Sequence, residues 1–139
     1  MNTFLPYPSL KKSAQCLDDK RLGKQRVEAY QILRIVLGEN PISGWRHHPI
    51  TKMWMGYPSA LKLYINYCIK EWKKRGFKNT MKTYKVPKII EYPKWFGDER
   101  VHSSHRSNLL RKDKIYYNKF GWTEPDNLPY FWNKQEKHK

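Results

Sequence analysis

Cysteine is scarce. Cys16 and Cys68 stand far apart with no C-x-x-C pair, so no disulfide framework, zinc ribbon or haem attachment organises the chain. Both fall within helical patterns and are expected as buried free thiols of a protein in a reducing, intracellular compartment. No apolar run reaches the length of a membrane span, and no signal-peptide core or lipidation motif is present, so neither export nor a membrane partner is expected. Alternating strand patterns and internal repeats are missing too, which argues against a sheet or a solenoid. Carboxylates are few: 12 Asp and Glu against 28 Lys and Arg, a formal charge of +16. Such an excess repels itself unless a polyanion balances it, and nucleic acid is the leading partner because each neutralised phosphate releases counterions. No RNP, KH or double-stranded-RNA-binding signature points to RNA.

What is present reads as helix. The length, 139 residues, suits one domain over 1–139 with a real core. Residues 1–8 carry two prolines and form an extended arm, and Ser9 is a plausible N-cap for a first turn or two. A main helix runs from Asp18 or Asp19 to Leu37, stopped by Gly38 and Asn40-Pro41. A second opens at Pro58 and Ser59 and ends near Arg75, with Leu61, Tyr64, Ile65, Cys68, Ile69 and Trp72 as its apolar stripe and Gly76 beyond its end. Residues 77–101 read as a long loop. A third helix spans Ser103 or Ser104 to Tyr117 with Leu109, Leu110, Ile115 and Tyr116 inward. From Gly121 to Trp132 an aromatic strap crosses the helices, and residues 133–139 are polar and expected to fray. The fold class is all-α: a compact single-domain bundle of about three main helices with long aromatic-rich loops and an extended C-terminal strap.

Four constellations could carry chemistry. In Asp18–Glu28, Arg21, Lys24 and Glu28 share one helix face, setting a carboxylate among cations; a solvated face with a Lys24–Glu28 pair is the plain alternative. His47, His48, His102 and His105 could join Asp18, Asp19 or Glu28 in a metal-dependent nuclease site, although no H-E-x-x-H motif supports it. His102–Lys112 crowds hydroxyls and cations at a helix start, where Ser103, Ser104 and Arg106 could hold a phosphate or Ser103 or Ser104 could simply cap the helix. The amino terminus is the fourth: an α-amine has a reference pKa of about 7.7–8.0 and is nucleophilic near neutrality.

The ordered set Asp19–Leu22, Glu28, His48, Lys74-Arg75-Gly76-Phe77, Gly97-Asp98 and His102 resembles the pyrimidine-dimer DNA glycosylase/AP-lyase family of the endonuclease V type. Within it the chain is similar to small members beginning Met-Asn/Gln-Thr-Phe-Leu-Pro. The resemblance implies a monomeric DNA repair enzyme, without metal or other cofactor, acting on duplex DNA that carries a damaged or modified base. It implies that an N-terminal α-amine, of Met1 or of Asn2 after processing, attacks the sugar C1′ and forms a Schiff base. Glu28 would then stabilise the cation and assist β-elimination. Arg21, Lys24, Arg26, His48, Ser104, His105, Arg106 and Arg111 are the expected DNA contacts, and Trp45 and Trp54 are candidates either for wedging or stacking or, equally, for core packing. Two departures bear on specificity: Asn2 stands where a small residue is usual, and Val27 where the family has an arginine. The alternatives are a non-catalytic DNA-binding protein on the same fold and the metal nuclease.

Overall fold

The computed structural model describes residues 2–40 and 42–133. Six α-helices follow in order: α1 Leu10–Cys16, α2 Asp19–Val36, α3 Pro49–Trp54, α4 Pro58–Lys74, α5 Glu99–Lys112 and α6 Lys114–Tyr117. Short 3-10 turns occupy Gly44–His47 and Asn118–Phe120. No strand forms among the described residues. The all-α class expected from periodicity is the class observed.

Helix ends follow their local chemistry. Ser9 caps α1 by accepting the Lys12 N–H, and Asp18 caps α2 by accepting the Arg21 N–H. At the end of α4, Gly76 takes a positive φ of 93°, the Phe77 N–H reaches the Trp72 carbonyl and the Gly76 N–H that of Lys73. That pairing is a Schellman motif, and Phe77 stacks on Trp72 with ring centroids 4.2 Å apart. The Arg-Gly-Phe ending is therefore a structural stop. Arg75 ties it down, donating to Asp19, Glu71 and the Gln15 carbonyl.

Helices α2 and α4 form the central pair, and α1 packs on α4. Gly23 permits the close approach, because a Cβ there would lie 2.9 Å from the Trp72 ring. Leu22, Ala29, Ile32 and Leu33 meet Leu61, Tyr64, Ile65 and Cys68 in one core, to which Trp54 and Trp95 add two fully buried indoles. Cys16 and Cys68 are buried free thiols, each pushed up to about 12 by burial.

The third helix differs from expectation. It starts at Glu99, capped by Asp98, which accepts the Arg100 N–H, so Ser103 and Ser104 lie inside it. Ile115 is 93% exposed, and Tyr117 fills the inward position instead. Asp113 ends α5 and caps α6; helical spacing already sets Tyr117, seven residues after Leu110, on the inward face and Ile115, five after it, on the outer one.

The described part of the N-terminal arm is extended yet buried from Asn2 to Pro6. An extended segment without a sheet leaves its N–H and C=O groups needing partners. Side chains supply them. Gln25 Nε2 donates to the Asn2 carbonyl at 2.8 Å, and its Oε1 accepts the Phe4 N–H at 2.8 Å. His105 Nδ1 accepts the Leu5 N–H at 2.8 Å, and His102 Nδ1 donates to the Leu5 carbonyl at 2.7 Å. Arg106 donates to the Pro6 carbonyl, Tyr64 to the Phe4 carbonyl and the Trp54 indole to Thr3 Oγ1. The strap is held by the same logic: Ser104 accepts the Phe131 N–H, Ser107 the Leu128 N–H, and Asn108 donates to the Leu128 carbonyl. Helix α5 is thus a polar helix buried between two extended segments.

His105 carries a pH consequence. Burial, then the charges of His102 and Arg106, lower its pKa from 6.5 to about 3. The unfolded state therefore binds the extra proton between those values, and stability is full above about pH 6.5 and declines as pH falls toward 3. His105→Asn, which keeps an acceptor but cannot titrate, should flatten this acid limb of Tm against pH. An unchanged limb would assign acid sensitivity elsewhere.

Candidate active site

One polar pocket of about 450 Å³ opens where the arm, α2, the end of α5 and the strap converge. Lys20, Arg21, Lys24 and Glu28 come from the outer face of α2, and Gln25 from its inner edge. Lys112 ends α5, His48 precedes α3, Asn2 and Phe4 belong to the arm, and Tyr130 and Trp132 to the strap. Glu28 is half-buried and makes no ion pair or hydrogen bond to another described residue, so the plain Lys24–Glu28 pairing does not form. An unpaired carboxylate facing four cations can stabilise a developing positive charge or take a proton.

The cations act on one another. Burial, followed by the charges of Arg21, Arg111 and Lys24, lowers the pKa of Lys112, and Glu28 opposes this. Arg21 is partly committed to Asp18 at 3.3 Å. Burial would raise the Asp18 pKa, but hydrogen bonds from Tyr117 and Arg21 and the Arg21 charge together lower it. His48 caps α3 by accepting the Ile50 N–H at Nδ1, which leaves its proton on Nε2 when neutral, and burial lowers its pKa.

The pocket joins Asn2, Arg21, Lys24, Glu28 and His48 from the sequence-based set. Met1 lies outside the described residues, although the arm delivers Asn2 directly to the pocket wall. The other expected DNA contacts are placed differently. Arg26 turns toward the 77–79 loop, bonding Asn79 and lying 4.5 Å from the Trp72 ring. His105 and Ser104 are buried, serving the arm and the strap. Arg106 is locked between Glu99, Glu124 and the Pro6 carbonyl, and Arg111 holds Asn108 and the Asp126 carbonyl. The expected phosphate site at a helix start is corrected to a binding surface for the protein's own backbone. Of the two roles open to Trp54, the structure shows core packing: it is fully buried against Trp95. Among the described residues no group of three His, Cys, Asp or Glu comes together to hold a metal, and His102 is occupied by Leu5 and the Gly97 N–H.

Sequence reading missed Lys20, Gln25, Lys112, Tyr130 and Trp132 as pocket residues. Gln25 carried a signal: an amide at an inward position of an amphipathic helix needs a buried polar partner. The strap aromatics carried none, since their packing depends on tertiary contacts.

Fold and pocket together define a small helical protein whose basic, carboxylate-bearing cleft suits a polyanionic substrate. The family model described as pyrimidine dimer DNA glycosylase matches residues 1–85, more than half of the chain, and the chain belongs to that family. It is a DNA repair glycosylase, and DNA is its substrate. No curated protein and no solved structure matches it. The matched segment contains Asn2, Arg21, Lys24, Gln25, Glu28 and His48; Lys112, Tyr130 and Trp132 lie beyond it. No helix among the described residues is long and apolar enough to cross a membrane.

Proposed function

We propose that the protein is a monomeric glycosylase with AP-lyase activity, excising a pyrimidine dimer or another damaged base from duplex DNA through an N-terminal-amine Schiff base. The supporting observation is the arm: Asn2 is fixed by Gln25, one helical turn before Glu28, and both Asn2 and Glu28 line the same basic pocket. Thr3 is fully buried and bonded to Trp54, so the amine of Met1, or of Asn2 after processing, is the nucleophile.

The amine lone pair forms an N–C1′ bond as the glycosidic bond breaks, its electron pair leaving with the base. The base takes up the proton that the amine gives up. The nitrogen lone pair then forms a C=N bond as the C1′–O4′ bond opens, O4′ takes a proton from solvent water, and an iminium remains. Glu28 faces this cation and accepts the C2′ proton; the C3′–O bond breaks and the strand is cut. Lys20, Arg21, Lys24 and Lys112 hold the flanking phosphates, and their combined charge favours an unprotonated amine.

Borohydride trapping on a duplex with an abasic site, in chelator, tests the reading. A covalent protein–DNA adduct is expected, and blocking the α-amine should abolish it. An adduct that survives the block would move the nucleophile to Lys112; tight, salt-sensitive binding with no adduct would leave a DNA-binding protein on a glycosylase fold.

A further inference from the structure

A second basic groove lies away from the cleft. It holds about 120 Å³ between α1 and α4 and is lined by Lys11, Gln15, Tyr67, Lys70, Glu71 and Lys74. Tyr67, Lys70 and Lys74 share one face of α4, with the two lysines one turn, about 6 Å, apart. Lys11 and Gln15, also one turn apart, form the facing row on α1. The three lysines are exposed and make no ion pair with a described carboxylate. Glu71, the one acid lining the groove, is held by Arg75 at 2.9 Å, and Arg75 also pairs with Asp19. Lys11, Lys70, Lys74 and Arg75 therefore face only Glu71 and Asp19, and the groove keeps a positive balance. Arg75, Gly76 and Phe77 serve to end α4, whereas Lys74 takes no part in that stop.

The groove stands apart from the cleft. The cleft takes no residue from α1 or α4, and the groove takes none from any other element. On α2 the cleft residues Lys20, Lys24 and Glu28 face away from Leu22, Ala29 and Leu33, which pack toward α4. The central helix pair thus separates two basic surfaces. We propose that the α1–α4 groove binds the phosphate backbone of a second duplex DNA segment while the cleft holds the first, so that the protein passes directly from one segment to the next. The inference rests on DNA as the substrate and goes beyond the lyase reading without depending on it. Lysines that neutralise phosphates release counterions and position a duplex without reading its sequence. Three unpaired lysines in one groove also carry a self-repulsion that a polyanion relieves.

Dissociation of the protein from a fluorescent duplex, followed by stopped flow while unlabelled duplex is added, tests this. The labelled duplex carries a tetrahydrofuran abasic analogue, which has no C1′ hydroxyl and does not react. The apparent off-rate should rise roughly tenfold as the competitor passes through about 1–100 µM, the range of non-specific affinities. The triple variant Lys11→Gln/Lys70→Gln/Lys74→Gln should lose most of that rise. Its cleavage of an abasic duplex and its affinity for a single duplex should stay within about threefold of the unaltered protein, since the cleft is untouched. Lys85→Gln/Lys88→Gln/Lys94→Gln removes as much charge from exposed positions of the long loop and should keep the rise. The groove is overturned if the off-rate of the unaltered protein ignores competitor, or if both triple variants lose the rise equally. Loss of cleavage together with the rise would make the groove part of the cleft's own duplex site. Anionic lipid vesicles that speed release where duplex does not would assign the surface to a membrane instead. Transfer that persists when abasic trapping fails would remove the lyase reading alone; a flat off-rate with intact trapping would remove the groove alone.

Discussion

Replacing Glu28 by glutamine should cut strand cleavage by a factor on the order of a hundred to ten thousand, the range for losing a positioned proton acceptor. The side chain keeps its size, and Glu28 makes no ion pair or hydrogen bond to another described residue that the change would break. Stability should therefore hold within about 0.5 kcal/mol, as for other substitutions away from packed or paired groups. DNA affinity should rise slightly, because a negative charge leaves a pocket lined by Lys20, Arg21, Lys24 and Lys112. Cleavage of an abasic duplex, binding by titration at two salt concentrations, and thermal unfolding check the three parts. Binding and cleavage lost together would make Glu28 a structural residue.

Gln25→Leu should be costly twice over. Gln25 is 1% exposed, and leucine would fill its space while leaving the Asn2 carbonyl and the Phe4 N–H unpaired in the core. Each such orphan costs about 1–3 kcal/mol, so a loss of about 3 kcal/mol is expected. Tyr64, which also donates to Gln25, keeps the Phe4 carbonyl as partner. The second effect is on chemistry, since Gln25 sets where the arm meets the pocket. A shift of the nucleophile by about 1 Å can cost about a hundredfold in rate. Gln25→Glu separates the effects: it can still accept from Phe4 but cannot donate to the Asn2 carbonyl. Trapping should fall for both variants at temperatures where they are folded. Full trapping by a folded Gln25→Leu protein would show that the arm needs no side-chain anchor.

Much of the fold was legible because its signals are local. The stripe of Leu61, Tyr64, Ile65, Cys68 and Ile69 repeats at helical spacing, and Gly76 ends that helix through a backbone angle that favours glycine. The cap at Ser9 and the boundaries of α2 rest on equally short-range chemistry. Glu28 stood out because helical spacing sets it on one face with Arg21 and Lys24.

The misplacements share one cause. His102, Ser104, His105, Arg106 and Arg111 read as a phosphate site because polar side chains on a helix normally face water or a ligand. Here their partners are the carbonyls and N–H groups of two segments that are extended but belong to no sheet. A residue's polarity shows that a partner is required, not whether that partner is a phosphate or a peptide group far along the chain.

The sequence by itself determined the helical class, the main helix ends, the excess of positive charge and the carboxylate on α2, since each depends on residue type and short spacing. Only the tertiary structure decided that the arm is buried, that α5 holds it, and that Lys112, Tyr130 and Trp132 close the pocket around Asn2 and Glu28. Those contacts join residues up to about 130 positions apart, and their geometry depends on how buried backbone groups are satisfied in three dimensions.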